Sequence, residues 1–213
     1  MSIKKLSIKE LIYHCSLRGN IGSGCQGIIN KYDDSTVLKI YYSYIYSGYN
    51  TLDPEILTAE IEDLKRIENI LIKNGNYIGR LGKLRYLHQK LSLTRSPIIK
   101  SIALCNDYPV GVFLEYYKDY ESICKCFNSL KQSDKKIVLE RIKGLIDDLV
   151  NHDIYPTDLH LNNIIIDKKT LSVKLIDLDD YKTVVEPKKH IKKISLLKKE
   201  CYKSVKKLKE TIN

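Results

Sequence analysis

The sequence predicts an α+β protein, with an antiparallel sheet and one long helix in a first lobe and a shortened, mainly helical second lobe. Three observations predict it. Residues 17–42 hold three strand-like runs broken by a glycine loop and by the turn Asp33-Asp34-Ser35. Apolar residues recur at three- and four-residue steps over 54–71 and from 133 to 151. Short apolar runs then close the pattern at 164–166 and 173–176.

Each element has a local reason. The first strand runs into Gly22-Ser23-Gly24-Cys25-Gln26-Gly27; the second covers 28–32 and the third 36–41. Leu57, Ile61, Leu64, Ile67 and Leu71 form the stripe of a helix that opens at Pro54. A further helical stretch spans about 77–93. Residues 98–105 and 110–117 read as a hairpin across Asn106-Asp107-Tyr108-Pro109. Ser133 is the expected N-cap of the next helix, whose apolar face carries Val138, Ile142, Leu145 and Leu149. A Lys-rich helix over 188–212 ends the chain.

Composition narrows the classes. With 213 residues and 43% apolar content the chain can bury a real core. No stretch approaches the roughly 20 apolar residues of a membrane-spanning helix. The opening MSIKKLSIKELIYH lacks the apolar block of a signal peptide. The expectation is a cytoplasmic protein whose six cysteines stay reduced. Cys124 and Cys126 are the one close pair, and nothing nearby completes a zinc set. The net charge of +10 is concentrated at the end: residues 181–213 carry 11 lysines against three glutamates, a net +8. That asymmetry argues against a protein built to coat nucleic acid along its whole surface.

Phosphoryl transfer needs a backbone donor loop, a fixed cation, oxygen ligands for Mg2+ and a carboxylate near the attacking hydroxyl. Candidates for each occur in order. Gly22, Gly24 and Gly27 let the backbone approach phosphates. The same spacing occurs in dinucleotide-binding folds, but those place a helix directly after the glycines, whereas a strand follows here. The alternative is an ordinary Gly-rich turn. Lys39 sits inside the apolar strand Val37-Leu38-Lys39-Ile40, and Glu60 lies at the border of the next helix's apolar face. Glu55 and Glu62 are its rivals. Asp158 and Asn163 stand five apart in Tyr155-Pro156-Thr157-Asp158-Leu159-His160-Leu161-Asn162-Asn163, ahead of a strand. Asp177 ends the next strand, followed by Leu178-Asp179.

On these residues the chain resembles the protein-kinase-like phosphotransferases over about 17–180. The resemblance implies a bilobal fold with a first lobe at 1–117, a reduced second lobe at 118–187 and a basic helix at 188–213. It implies ATP and Mg2+ as cofactors. Gly22, Gly24 and Gly27 would cover the phosphates, and Lys39, held by Glu60, would bind them. Asp158 would be the catalytic base, and Asn163 and Asp177 the metal ligands. Leu114 resembles the gatekeeper, and Glu115-Tyr116-Tyr117 the hinge, with Glu115 and Tyr117 reading adenine. The departures carry information. The family's His-Arg before the base is Pro156-Thr157, which removes the partner of a phosphorylated activation loop. Its Asp-Phe-Gly is Asp177-Leu178-Asp179, an acid shared in spirit with small-molecule kinases. Only 36 residues follow Asp177, too few for a peptide-docking platform. Residues 74–96 look like an insertion.

Three functions follow: a serine/threonine-protein kinase acting on a protein, itself included; a small-molecule kinase of the aminoglycoside-phosphotransferase type; or a catalytically silent nucleotide-binding scaffold. The acceptor is accordingly a protein or small-molecule hydroxyl. The tail adds an apolar stripe of Ile191, Ile194, Leu197, Cys201, Val205, Leu208 and Ile212 on a lysine-coated helix. It reads as packing on the short second lobe or as a surface for nucleic acid or anionic membrane.

Overall fold

The computed structural model describes residues 2–16, 20–24, 27–41, 53–74, 79–94, 99–156, 159, 161–176 and 181–183, with scattered positions from 195 to 210. The chain is α+β and forms two compact units. The first comprises Met1–His88 and Ile98–Lys118, and the second Gln89–Pro97 and Asp119–Asn213.

The first unit is built on a six-stranded mixed sheet. Its strands are β1 (Ser2–Lys5), β2 (Asn20–Gly24), β3 (Gly27–Lys31), β4 (Thr36–Tyr41), β5 (Ile99–Cys105) and β6 (Tyr108–Glu115), in the order β1-β5-β6-β4-β3-β2. Four neighbouring pairs are antiparallel, but β1 runs parallel to β5, with Ser2 opposite Ser101. The expected all-antiparallel sheet is corrected here. A parallel partner almost a hundred residues away leaves no local signature in a four-residue strand.

β4 is central and buried along its whole length. Its side chains therefore show no in–out alternation; Leu38 and Ile40 are fully buried. Each such side chain stabilises the fold by roughly 1.5–3 kcal/mol. The Asp33 carboxylate accepts the Ser35 amide at 2.7 Å and so closes the turn from β3 to β4.

The β5–β6 turn is tighter than the four residues expected. Asn106 and Asp107 alone make it, with φ of 48° and 60°. Both are residue types that tolerate the left-handed region, as a two-residue hairpin requires. Tyr108 and Pro109 belong to β6 instead. Pro109 is tolerated because the β4 ladder begins only at Gly111, so a missing amide at 109 costs no hydrogen bond on that side.

Helix α1 (Ile8–Ser16) follows β1. Its start is a capping box: Ser7 Oγ accepts the Glu10 amide at 3.2 Å, while Glu10 Oε2 accepts the Ser7 amide at 2.7 Å. Those contacts hold the Glu10 carboxyl below its ordinary range, the Ser7 amide most of all and the Ser7 hydroxyl next. Helix α2 (Pro54–Lys73) is capped by Asp53, and its buried residues are Leu57 and Ile61. The expected stripe fades along the helix: Leu64 is half-buried, and Ile67 and Leu71 are exposed. Helix α3 (Arg80–Leu91) is shorter than the 77–93 expected, and the boundary between the units falls in its last turn.

The second unit contains β7 (Glu121–Ser122), α4 (Ile123–Cys126), α5 (Gln132–Asn151), β8 (Ile154–Pro156), β9 (Ile164–Asp167), β10 (Ser172–Leu175) and β11 (Tyr181–Thr183). The strands form a β10-β9-β7 sheet and a β11-β8 pair. Val138, Ile142, Leu145, Ile146, Leu149 and Val150 are the buried face of α5, which packs on β8 and β10. Ser133 does not cap α5. Lys131 takes that position without a side-chain bond, and Ser133 Oγ turns to Asp134 at 3.2 Å.

Described positions of the C-terminal segment are helical, and Lys198, Lys199, Lys203 and Lys206 are exposed. Tyr202 donates its hydroxyl to Asp147 of α5 at 2.9 Å. The seven apolar stripe residues of this segment lie outside the described residues. Among the described residues, no helix is long and apolar enough to cross a membrane.

Candidate functional site

In the first unit, the expected glycines come first. Gly22 and Gly24 lie on β2, with Gly22 opposite Ile29 and Gly24 opposite Gly27. Cys25 and Gln26 lie outside the described residues. Gly27 has a packing reason of its own: a Cβ there would stand 2.3 Å from the Ile40 carbonyl oxygen. Close strand approach therefore demands glycine at 27 with or without a phosphate.

Lys39 sits on β4 between Ile29 of β3 and Val112 of β6 and is only 6% exposed. A lysine this buried needs a partner, and it has one. Glu60, on α2, is half-buried, one residue before the buried Ile61. Among the described residues no ion pair joins Glu60 to Lys39. Two residues past Lys39, Tyr41 shares its sheet face and lies under the Arg80 guanidinium, 5.0 Å from the ring centre.

The expected hinge begins where β6 ends. Leu114 is half-buried and Glu115 exposed. The Tyr116 amide is committed to the Ser35 carbonyl at 2.9 Å, and the Tyr117 hydroxyl to the Glu115 carboxylate at 2.9 Å. Of the three hinge amides, that of Tyr116 is therefore taken by the β3–β4 turn.

In the second unit, Leu161–Asn163 forms one turn of 3-10 helix directly before β9. β9 and β10 make an antiparallel hairpin with Ile164 opposite Leu175. The turn of that hairpin is held by Asp167, whose carboxylate accepts the Thr170 hydroxyl at 2.7 Å and the Lys169 amide at 2.9 Å. The Thr170 hydroxyl first, and then the Lys169 amide, keep the Asp167 carboxyl below its ordinary range. One step past the ladder, the Ile176 amide donates to the Asn163 carbonyl at 2.8 Å. Asn163 is half-buried and partnered. Asp158, Asp177 and Asp179 lie outside the described residues.

No protein-family model matches the chain, and no curated protein matches it.

Sequence reasoning missed Gly111. A Cβ on it would stand 2.3 Å from the Lys39 carbonyl oxygen, so it shapes the strand that carries Lys39. A lone glycine between Val110 and Val112, inside an apolar strand run, is the signal that marks such a close approach. Among the described residues no cluster of three His, Cys, Asp or Glu side chains could hold a metal ion. The expected ligands, an asparagine amide and an aspartate, offer hard oxygens of the kind Mg2+ takes.

Proposed function

We propose that the chain is an ATP- and Mg2+-dependent phosphotransferase of protein-kinase-like fold, acting on serine or threonine hydroxyls of a protein, its own included. The observation that carries this reading is the hydrogen bond from the Ile176 amide to the Asn163 carbonyl. It ties the asparagine of the Asp-x-x-x-x-Asn loop to the strand end whose next residue in sequence is Asp177. That is the backbone pairing a two-ligand metal site from these residues would need. A buried lysine on a central strand, next to a glycine-bearing hairpin, adds the cation for the phosphates.

In the proposed reaction the acceptor hydroxyl oxygen bonds to the γ-phosphorus as the bond to the β,γ-bridging oxygen breaks. ADP leaves, and the hydroxyl proton passes to the Asp158 carboxylate. Lys39 holds the α- and β-phosphates in line, and Glu60 is the acid proposed to clamp Lys39 once nucleotide is bound. Asn163 and Asp177 would hold Mg2+, which when bound offsets the charge of the phosphate oxygens.

The test is incubation of the full chain with radiolabelled ATP and Mg2+. Label on serine or threonine of the chain or of an added protein supports the reading. Label confined to an added small-molecule alcohol moves it to the small-molecule class. Asp177→Asn is expected to abolish transfer with an unchanged melting curve, and wild-type turnover in that variant would overturn the assignment.

A further inference from the structure

Helix α2 buries Leu57 and Ile61 and turns a second face to water. That outward face steps through Ile56, Ala59, Asp63, Arg66, Ile70 and Lys73 at threes and fours, with Ile67 beside its centre. Ile56, Ile67 and Ile70 are 52%, 51% and 54% exposed. Ala59, Asp63, Arg66 and Lys73 are exposed with them. One exposed isoleucine is ordinary, but three along one face of one helix make an apolar patch. Charge along this face has a direction. The acids Glu55, Glu62 and Asp63 lie in the N-terminal half of α2, and Arg66 and Lys73 in the C-terminal half. Glu68, the acid of the C-terminal half, is turned elsewhere: it is half-buried, and its carboxylate accepts the Arg80 amide. In the middle, Asp63 and Arg66 form an ion pair of 3.1 Å with both side chains largely in water.

We infer that α2 pairs antiparallel with α2 of a second copy of this chain, forming a two-fold dimer. Turned end for end, the acidic half of one helix meets the basic half of the other. Asp63 then faces Arg66 of the second copy, and the two-fold axis repeats that pair. The small Ala59 admits Ile70 of the second copy, and Ile56 lies along the apolar stem of its Lys73. The order of signs along the face selects this occupant. The basic C-terminal segment, with 11 lysines against three glutamates, would set like charge against Arg66 and Lys73. Its Tyr202 is also already bonded to Asp147 of α5. Anionic lipid or nucleic acid would meet Glu55, Glu62 and Asp63. The α2 sequence itself supplies both signs in the reversed order that its own face requires. A single helix pair lies at the small end for specific complexes, so the dimer is weak and depends on concentration. The inference rests on α2 alone and is independent of the phosphotransferase reading.

The experiment is sedimentation velocity of the full chain over a range of concentrations. A dimer fraction that rises with concentration is expected. The double variant Ile67→Glu, Ile70→Glu should weaken association about a hundredfold with an unchanged circular dichroism spectrum. Asp63→Arg alone and Arg66→Asp alone should each weaken it about tenfold, because like charges then face each other across the axis. Mixed in equal amounts, these two single variants should recover wild-type association as a heterodimer, since opposite signs again face each other. A chain that stays monomeric throughout overturns the inference. So does an isoleucine double variant that dimerises like the wild type, or a mixture that associates no more tightly than its components. A monomeric chain that binds a synthetic peptide of residues 188–212, and loses it in the isoleucine double variant, also overturns it and assigns the face to the C-terminal segment.

Discussion

A Cβ atom on Gly111 would stand 2.3 Å from the carbonyl oxygen of Lys39. Gly111 is the ladder partner of Ile40, and on the other side of β4 Gly27 approaches the Ile40 carbonyl just as closely. The strand that carries Lys39 is thus gripped between two glycines, each with its neighbour's backbone where a side chain would be. Backbone cannot move aside as the end of a side chain can, so β4 would have to shift.

Gly111→Ala is accordingly expected to destabilise the fold by about 1–3 kcal/mol, the usual cost of overpacking. The urea midpoint reads that loss. On the proposed phosphotransferase reading the displaced Lys39 binds the phosphates, so affinity for a fluorescent ATP analogue should fall in the same variant under conditions where it remains folded. A melting curve identical to wild type would show that β4 has slack the structure does not reveal.

Asp53 is a second point of leverage. Its Oδ1 accepts the Glu55 amide at 2.7 Å and the Ile56 amide at 3.3 Å, two of the unpaired donors at the start of α2. Asp53→Ala should cost about 1 kcal/mol, and Asp53→Asn or Asp53→Ser should recover most of it. Denaturant titration of the three variants decides this. Equal midpoints for alanine and serine would exclude capping as the source of stability.

His14 predicts a pH dependence. It is buried near the C-terminal end of α1, between the rings of Tyr13 and Tyr32, and among the described residues its Nδ1 has no hydrogen-bond partner. Burial lowers its pKa below the ordinary 6.5, with Glu10 opposing that shift and Lys4 adding to it. The folded chain therefore binds this proton less readily than the unfolded one. Its contribution to stability is present above 6.5 and is lost as pH falls through the lowered folded value. The urea midpoint of the wild type should drop from about pH 7.5 to about pH 5, and His14→Gln should remove part of that drop. His88, also lowered by burial, accounts for a remainder of the same sign. Identical pH slopes in variant and wild type would remove His14 from the account.

The candidate site was legible where its residues announce themselves locally. The glycine spacing, the lysine inside an apolar run and the Asp-x-x-x-x-Asn loop ahead of a strand are patterns within a dozen residues. Other parts were not. The Tyr116 amide is consumed by Ser35, some eighty residues earlier, and no local pattern encodes that bond. The glycine spacing marks Gly27 for a phosphate loop, but the need for glycine there to pass the Ile40 carbonyl comes only from strand packing. Helix α1, absent from the sequence expectations, nonetheless has a local signal of its own in the Ser7–Glu10 capping box.

By itself the sequence determined β4 to its end residues, the start of α2 at Pro54 and the end of α5 at Asn151, because apolar period and helix-start chemistry act over neighbouring residues. Tertiary structure alone decided the parallel pairing of β1 with β5, which half of the α2 stripe is covered, and the bond that joins Asn163 to Ile176. Each of these depends on residues outside the local run that defines the element. The interaction forms only once loop-closure entropy has been offset by burial elsewhere, so nothing in the local pattern can announce it.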